Sequence, residues 1–546
     1  LGLPISSYSF NFTHITIVSI LQEKSSTMKN TRIFLIAISL IIAMASLSRA
    51  GWQADLDSLV RTDNKTMQDS LIKSIINAKP NWQDMSSYIK RISFPPMEKG
   101  KAILRQATCI DGVQRPWVVY VPSGYNPAKA TPLLVILHGA VNRPNTRDNP
   151  LKYSEDYPFT ALAEREGWLV LYPYGQAGAT WWDKVGIYNV MNQIRLTKRL
   201  YNVDDDRVWL GGFSDGGSAA YLWPMITPSD FAAFLALNGD LGIASRAGDI
   251  AAYVSNLSSS YIYAINTTED DHFPAAKVRK EILFARKAGA QIFYKEYPGP
   301  HDFVYQDKEM PLFANYLERH ARDPFPPQLS WEAADPDWGQ CRWIVIDSLI
   351  ESTPSAWHKD INLTMVDSSI VWGFQLDTSY IGNGVQVGRM VGGGNLAVML
   401  GLRPGDIITK IGSQIITNNA AFEKAKAAIK RGQDINVTII RNGQTMPLSR
   451  HIPEPTSYEL FDHKRLSGKV NATYAANRID IESSRVGKLR VLVHPDMIRL
   501  DQPLIIRLNG KVVYNKVVKP DLEFLLRNFL ENRDRRLIYI AQIELP

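Results

Sequence analysis

The chain has 546 residues, 45% of them hydrophobic and 21% charged. That composition excludes a disordered or collagen-like polymer, and the length exceeds what a single domain needs. Basic residues number 61 against 54 acidic ones, a formal charge of +7. So mild an excess, with no long Lys/Arg block, argues for solvated surface and against nucleic-acid binding.

Met28-Lys29-Asn30-Thr31-Arg32 is a short basic segment, followed by an apolar run from Ile33 to Leu47 and then Ser48-Arg49-Ala50. This three-part pattern predicts a secretory signal peptide over 28–50, cleaved after Ala50. The apolar run falls short of the ~20 residues that a spanning helix needs. Residues 1–27 precede a better start and read as an untranslated leader, so the mature protein is expected to be secreted or periplasmic. Two cysteines, Cys109 and Cys341, make neither a disulfide framework nor a metal site; pairing and separate burial are both open.

From residue 51 to 100 apolar residues recur at helical spacing (Leu56, Leu59, Val60; Leu71, Ile72, Ile75, Ile76), which predicts a helical N-terminal segment. The texture then changes to short apolar runs suited to buried strands. These are Trp117–Val121, Leu133–Leu137, Trp168–Tyr172, Arg207–Leu210, Phe231–Leu237, Tyr261–Ile265 and Ile292–Glu296. Helical stretches such as Tyr188–Tyr201 and Ala275–Ala288 lie between them, so residues 101–322 read as an α/β unit with a mostly parallel sheet. A proline-rich joint, Pro324-Phe325-Pro326-Pro327, opens a β region with strands expected at Arg342–Asp347, Asn477–Glu482, Lys488–Val493, Leu504–Leu508 and Leu537–Ile543. Leu508–Val512 around Asn509-Gly510 reads as a hairpin.

Gly212-Phe213-Ser214-Asp215-Gly216 matches G-x-S-x-G, with a strand candidate before it and a helix candidate after it. A serine on so tight a turn is strained and exposed, and small residues two positions either side avoid collision. Ser214 is therefore the candidate nucleophile. Two backbone N–H groups should face the developing oxyanion, one from Asp215 and one from the Leu137-His138-Gly139-Ala140 turn through Ala140. His138 itself reads as structural. The general base is expected at His301, in Pro298-Gly299-Pro300-His301-Asp302-Phe303, with His272 as a rival. Glu269, Asp270 and Asp271 compete for the acid. Trp181-Trp182 reads either as a pocket wall or as core.

The stretch from about Arg115 to Phe303 resembles bacterial α/β-hydrolases grouped with polyhydroxybutyrate depolymerases, feruloyl esterases and phospholipase/carboxylesterases. The likeness rests on Trp117–Tyr125, the His138-Gly139 turn, and Tyr201–Val208 running into Gly211–Gly217. It implies an α/β-hydrolase fold, a Ser214–His301–Asp270 triad with Asp270 preferred to Asp271, and structural roles for Asp206 and Arg207. Ala140-Val141-Asn142 stands where many relatives carry further glycines.

Gly401-Leu402-Arg403-Pro404-Gly405-Asp406-Ile407-Ile408, a helix over 418–429, a strand over 435–441 and an Asn442-Gly443 turn make a second pattern. Residues 369–453 resemble a bacterial PDZ domain, inserted into a small β domain made of 323–368 and 454–546. The resemblance implies a peptide C-terminus as partner, cradled by Trp372, Gly373 and Phe374. The tryptophan replaces a usual small aliphatic residue, and a spacer without ligand is the competing reading.

The residues thus lead to an expected exported esterase working through an acyl-enzyme, with no metal or organic cofactor. A peptidase on the same fold and an inert PDZ-containing binding protein are the alternatives. No nucleic-acid partner and no stable membrane span are expected.

Overall fold

The computed structural model describes residues 51–145, 148–391 and 395–546. The expected leader (1–27) and signal segment (28–50) lie outside the described residues. The chain divides into two compact units, one ending at Ile92 and one spanning Ser93–Pro546. The first boundary therefore falls before residue 100, because Gly100 already donates its N–H to Val121 O in the sheet of the second unit.

In the first unit, residues 51–61, Lys65–Asn77 and Trp82–Lys90 are helical. Asn64 and Asn81 cap the latter two, accepting from the N–H groups of Met67 and Gln83. Leu56, Leu59, Ile72, Ile75, Met85 and Ile89 are buried between them.

The second unit opens with eight strands: β1 (Lys101–Thr108), β2 (Gln114–Val121), β3 (Thr131–Leu137), β4 (Leu169–Pro173), β5 (Val203–Phe213), β6 (Ala233–Leu237), β7 (Tyr261–Thr267) and β8 (Gln291–Tyr297). They form one sheet in the order β1-β2-β4-β3-β5-β6-β7-β8. The β1/β2 and β2/β4 pairs are antiparallel, and all neighbours from β4 to β8 run parallel. That order and direction are those of the α/β-hydrolase fold.

Period-two side-chain alternation sends Leu133, Val135 and Leu137 to one face, and Leu134 and Ile136 to the other. Helices cover both faces, which is why these strands read as continuous apolar runs. Strand β1 carries no such run: only Ala102 and Ala107 of its eight residues are buried, so the sequence did not reveal it. Among the described residues no helix is long and apolar enough to cross a membrane.

Two further sheets share one apolar core. One contains Gln340–Cys341, Ile344–Leu349, Val486–Val493 and Ala541–Leu545; the other contains Gln328–Ala333, Gly468–Ala475, Arg478–Ser484, Pro503–Leu508 and Lys511–Val517. Leu537–Ile540 precede the last strand instead of belonging to it, and Leu522–Asn532 is a helix capped by Asp521 that the sequence reading missed. Between these strands, Thr364–Asp367 pairs antiparallel with Thr456–Glu459. That ribbon is a neck through which the chain enters and leaves a separate sheet of Phe374–Leu376, Val385–Met390, Ile407–Ile411, Asp434–Arg441 and Gln444–His451. The sheet has its own apolar core and carries the helix Asn419–Ala427. Asn442 and Gly443 both have positive φ, as a two-residue hairpin turn requires.

The α/β sheet and the following β region meet over buried charge. Lys198 lies 3.0 Å from Asp205 and 3.2 Å from Asp534, and Arg322 donates to Asp534 at 2.7 and 3.1 Å. Burial pushes the Asp534 carboxyl up, but Arg322 and Lys198 outweigh it and hold it well below the usual carboxylate range. A buried pair broken on one side leaves uncompensated charge, so Asp534→Asn is expected to cost about 3–5 kcal/mol at neutral pH, read by urea unfolding. A depressed folded-state pKa stabilises above the unfolded value and is lost as pH falls. The gap between wild type and variant should therefore narrow below about pH 4; a gap constant to pH 3 would contradict the assignment.

Candidate active site

Strand β5 ends at Phe213, and the helix Asp215–Ile226 begins two residues later. Ser214 joins them with φ 60° and ψ −118°, a backbone conformation that side chains rarely adopt. The turn exists because the backbones around it nearly touch. A Cβ on Gly212 would lie 2.5 Å from Gly216 C, and one on Gly216 would lie 2.0 Å from Leu137 O. Glycine at both positions is thus a steric requirement of the crossing. Gly139 presses on the serine in the same way, since a Cβ there would stand 2.9 Å from Ser214 Cβ.

Ser214 Oγ is 2.8 Å from His301 Nε2, and His301 Nδ1 is 2.7 Å from Asp270 Oδ2. With Asp270 as acceptor, Nδ1 carries the ring proton and Nε2 is left to accept from the serine hydroxyl. The three residues come from the ends of β5, β7 and β8. Asp270 is buried, and its Oδ1 accepts the backbone N–H groups of His272 and Phe273, each at 2.8 Å. Burial raises its pKa, yet the hydrogen bond and charge of His301, with Phe273 N–H and Asn238, hold the carboxyl below its ordinary value.

Asp271 points away: it is exposed and pairs with Lys426 of the helix Asn419–Ala427 at 3.0 Å. His272 lends its backbone to the acid, and its ring packs edge-on against His301 with centroids 4.9 Å apart. The His272 ring therefore stands beside the Ser214–His301–Asp270 hydrogen bonds without joining them. His138 is buried; its Nε2 accepts Gly175 N–H at 3.1 Å and its ring packs on Trp181. Trp181 and Trp182 are core side chains, and Trp181 Nε1 donates to His138 O.

Ala140 adopts φ 53°, in the left-handed region where glycines would be unstrained. The Asp215 carboxylate accepts Val141 N–H at 2.8 Å, which pins the Ala140 turn beside Ser214. Asp215 thus braces this turn through its side chain as well as following Ser214 in the chain. Burial pushes its carboxyl up, offset in part by the Val141 hydrogen bond and His301.

Asn238 is the residue that sequence reasoning overlooked. Buried after β6 with φ 46°, it donates to Asp270 Oδ2 at 2.9 Å and to Thr267 Oγ1 at 2.6 Å, and accepts from Tyr305 Oη at 2.7 Å. Thr267 in turn donates to Pro300 O, next to His301. An Asn-Gly pair closing a buried strand was the available signal.

Elsewhere, Asp206 binds Arg322 and Arg536, and Arg207 binds Asp204, so both are structural. Both cysteines are free and buried; Cys109 donates to Asn189 Oδ1. Trp372 is buried against Phe422 (5.3 Å) and Phe374 (5.9 Å). Gly373 has φ 80°, and Phe374–Leu376 is an edge strand.

No family profile matches the chain. A curated relative, a bifunctional acetylxylan esterase/xylanase of Neocallimastix patriciarum, is 36% identical over 131 residues. The match covers 23% of this chain and only 18% of that protein's length. Similar solved structures include a ferulic acid esterase (17% identity, 41% of this chain, 99% of the other, TM-score 0.35). A thermostable esterase (21%, 41% and 64%, TM-score 0.33) and Thermogutta terrifontis esterase 2 (16%, 42% and 97%, TM-score 0.33) are also similar.

Replacing Asn238 by Ala removes one donor from Asp270 and strands the buried Tyr305 hydroxyl. The expected cost is about 1–3 kcal/mol in urea unfolding, with kcat reduced and KM little changed. Unchanged kcat would show that Asp270 needs no support from β6.

Proposed function

We propose that this chain is a serine hydrolase acting on carboxylic esters through an acyl-enzyme. The observation that carries the reading is the unbroken run of hydrogen bonds from Ser214 through His301 to Asp270, at 2.8 and 2.7 Å. Ser214 Oγ attacks the ester carbonyl while His301 Nε2 takes its proton. Negative charge then develops on the carbonyl oxygen, which the N–H groups of Asp215 and Ala140 are proposed to receive. The C–O bond to the alcohol breaks as His301 returns the proton to the leaving alkoxide. Water, deprotonated by the same imidazole, then releases the acid. Asp270 holds the ring with Nε2 toward the serine and stabilises the imidazolium.

The curated relative is named for both an acetylxylan esterase and a xylanase activity, and the first of these favours ester over amide chemistry. The test is a panel of p-nitrophenyl esters of graded acyl length set beside peptide amides, with fluorophosphonate labelling. Wild type is expected to hydrolyse esters and to take up the label, and Ser214→Ala to lose at least about 1,000-fold in rate. Preferential cleavage of amides would favour a peptidase. An unlabelled wild type would leave an inert binding protein.

We further propose export, with residues 28–50 removed; N-terminal sequencing of the secreted chain should then begin at Gly51. Residues 369–453 are proposed as a PDZ-like peptide-binding unit, supported by the open edge of Phe374–Leu376 beside the helix Asn419–Ala427. A peptide added to that edge would bind through its free carboxylate, so anisotropy should detect a carboxy-terminal peptide library and not its amidated counterpart. Equal binding of both forms would contradict a carboxylate cradle at Trp372–Phe374.

A further inference from the structure

A cavity of about 560 Å³ opens far from Ser214. It lies between the helix Lys184–Leu200, the turn Thr227–Asp230, the turn Pro336–Trp338 and the helix Leu522–Asn532. Ser214 starts the helix Asp215–Ile226 and this cavity meets its other end. Twelve helical residues therefore separate the two places by roughly 18 Å. The volume is within the roughly 300–1,000 Å³ of small-molecule sites.

Its lining has a definite chemistry. Tyr188 and Trp338 supply an aromatic floor, with centroids 5.9 Å apart and planes tilted by 42°. Both rings are only half-buried, so part of each is left to water that a ligand would displace. Around them stand the amides of Asn192, Asn528 and Asn532 and the carboxylate of Asp230. Amides offer donors and acceptors together, the pairing that hydroxyl groups satisfy.

Asp230 supplies a second, independent observation. Its side chain is 14% exposed, and its nearest ion-pair partner, Lys198 Nζ, stands 3.9 Å away, beyond hydrogen-bond distance. Lys198 is already engaged by Asp205 and Asp534. Arg342 and Arg322 hold the adjacent Ser229 through its carbonyl oxygen, so the Asp230 wall is fixed before any ligand arrives. Burial also raises the Asp230 carboxyl, although Lys198 opposes this.

Three other charged residues line the cavity, Arg195, Asp337 and Glu531. Lys184 pairs with Asp337, and Arg195 donates to Asn192 at 2.7 Å. Carboxylates on the wall would repel a phosphate or nucleotide, and the polar rim does not suit an acyl chain. A ring-bearing, uncharged molecule with many hydroxyl groups suits the aromatic floor, the amides and Asp230, with Ile187, Met191 and Ile226 offering apolar contact to its ring faces.

We propose that this cavity is a carbohydrate-binding site, in which a sugar ring lies against Trp338 and Tyr188 while its hydroxyls bond to Asp230 and the asparagines. The site binds and does not react, so it holds whether or not Ser214 is a nucleophile. It would keep a saccharide on the enzyme at a place the Ser214 chemistry does not consume.

The experiment uses the full Ser214→Ala chain, so that no probe is turned over, with cellotriose and xylotriose as probes in calorimetry and saturation-transfer NMR. Saturable binding of at least one probe is expected, weakened 10-fold or more by Trp338→Ala and by Asp230→Asn. Circular dichroism and urea midpoints check that both variants fold. Absence of saturable binding by both probes overturns the proposal. Binding that survives Trp338→Ala in a folded protein also overturns it, since the sugar then sits elsewhere. Spermidine is the charged control: if it binds in place of the sugars, the cavity is a cation site and the proposal fails.

Discussion

A hydroxyl can stand clear of both the strand before it and the helix after it only if those backbones cross in near-contact. At Ser214 the crossing is made by Gly212 and Gly216, with Leu137 O filling the space that a side chain would need. The strain of a positive φ at Ser214 is therefore imposed by the sheet and helix on either side. Every other element of the site is built to meet that one raised atom. Strands β7 and β8 end beside it, and their loops bring the acid and the imidazole into line.

The acid is the most heavily supported member. A buried carboxylate without partners would cost several kcal/mol, and Asp270 avoids that cost by accepting two backbone N–H groups, Asn238 and His301. Asn238 belongs to the β6 end, Thr267 to β7 and Pro300 to the His301 loop, so one small network ties three crossovers together. The inserted module reaches the same loop from outside, through Lys426 on Asp271. Screened by solvent on the Asp271 side, that pair contributes little stability, but it sets the helix Asn419–Ala427 against the acid loop.

Charge locks the β region to the α/β sheet, beside the apolar contact that Met365, Leu460 and Phe461 make with the sheet's core. Asp534, Arg322, Lys198 and Asp205 are buried together, and their pairings demand a particular placement of the two parts. Apolar contact tolerates sliding, whereas a buried charge displaced from its partner is penalised at once. The same arrangement fixes Ser229 and Asp230, so the wall of the remote cavity is a by-product of how the two parts are locked.

Local information determined much of this protein. The buried parallel strands were legible because burial on both faces leaves unbroken apolar runs, and the Ser214 elbow because close backbone crossing permits only glycine at fixed offsets. The place of His301 after the last strand singled it out, and the structure sets its ring between Ser214 and Asp270. The edge strand β1 and the helix Leu522–Asn532 were not read, the first because partial exposure blurs its pattern. The resemblance already preferred Asp270 to Asp271, and the tertiary structure sets Asp270 on His301 and Asp271 on Lys426; it alone drew Asn238 into the site and opened the cavity beside Trp338. Those outcomes depend on distances between residues far apart in the chain, and neither periodicity nor local sterics encodes such distances.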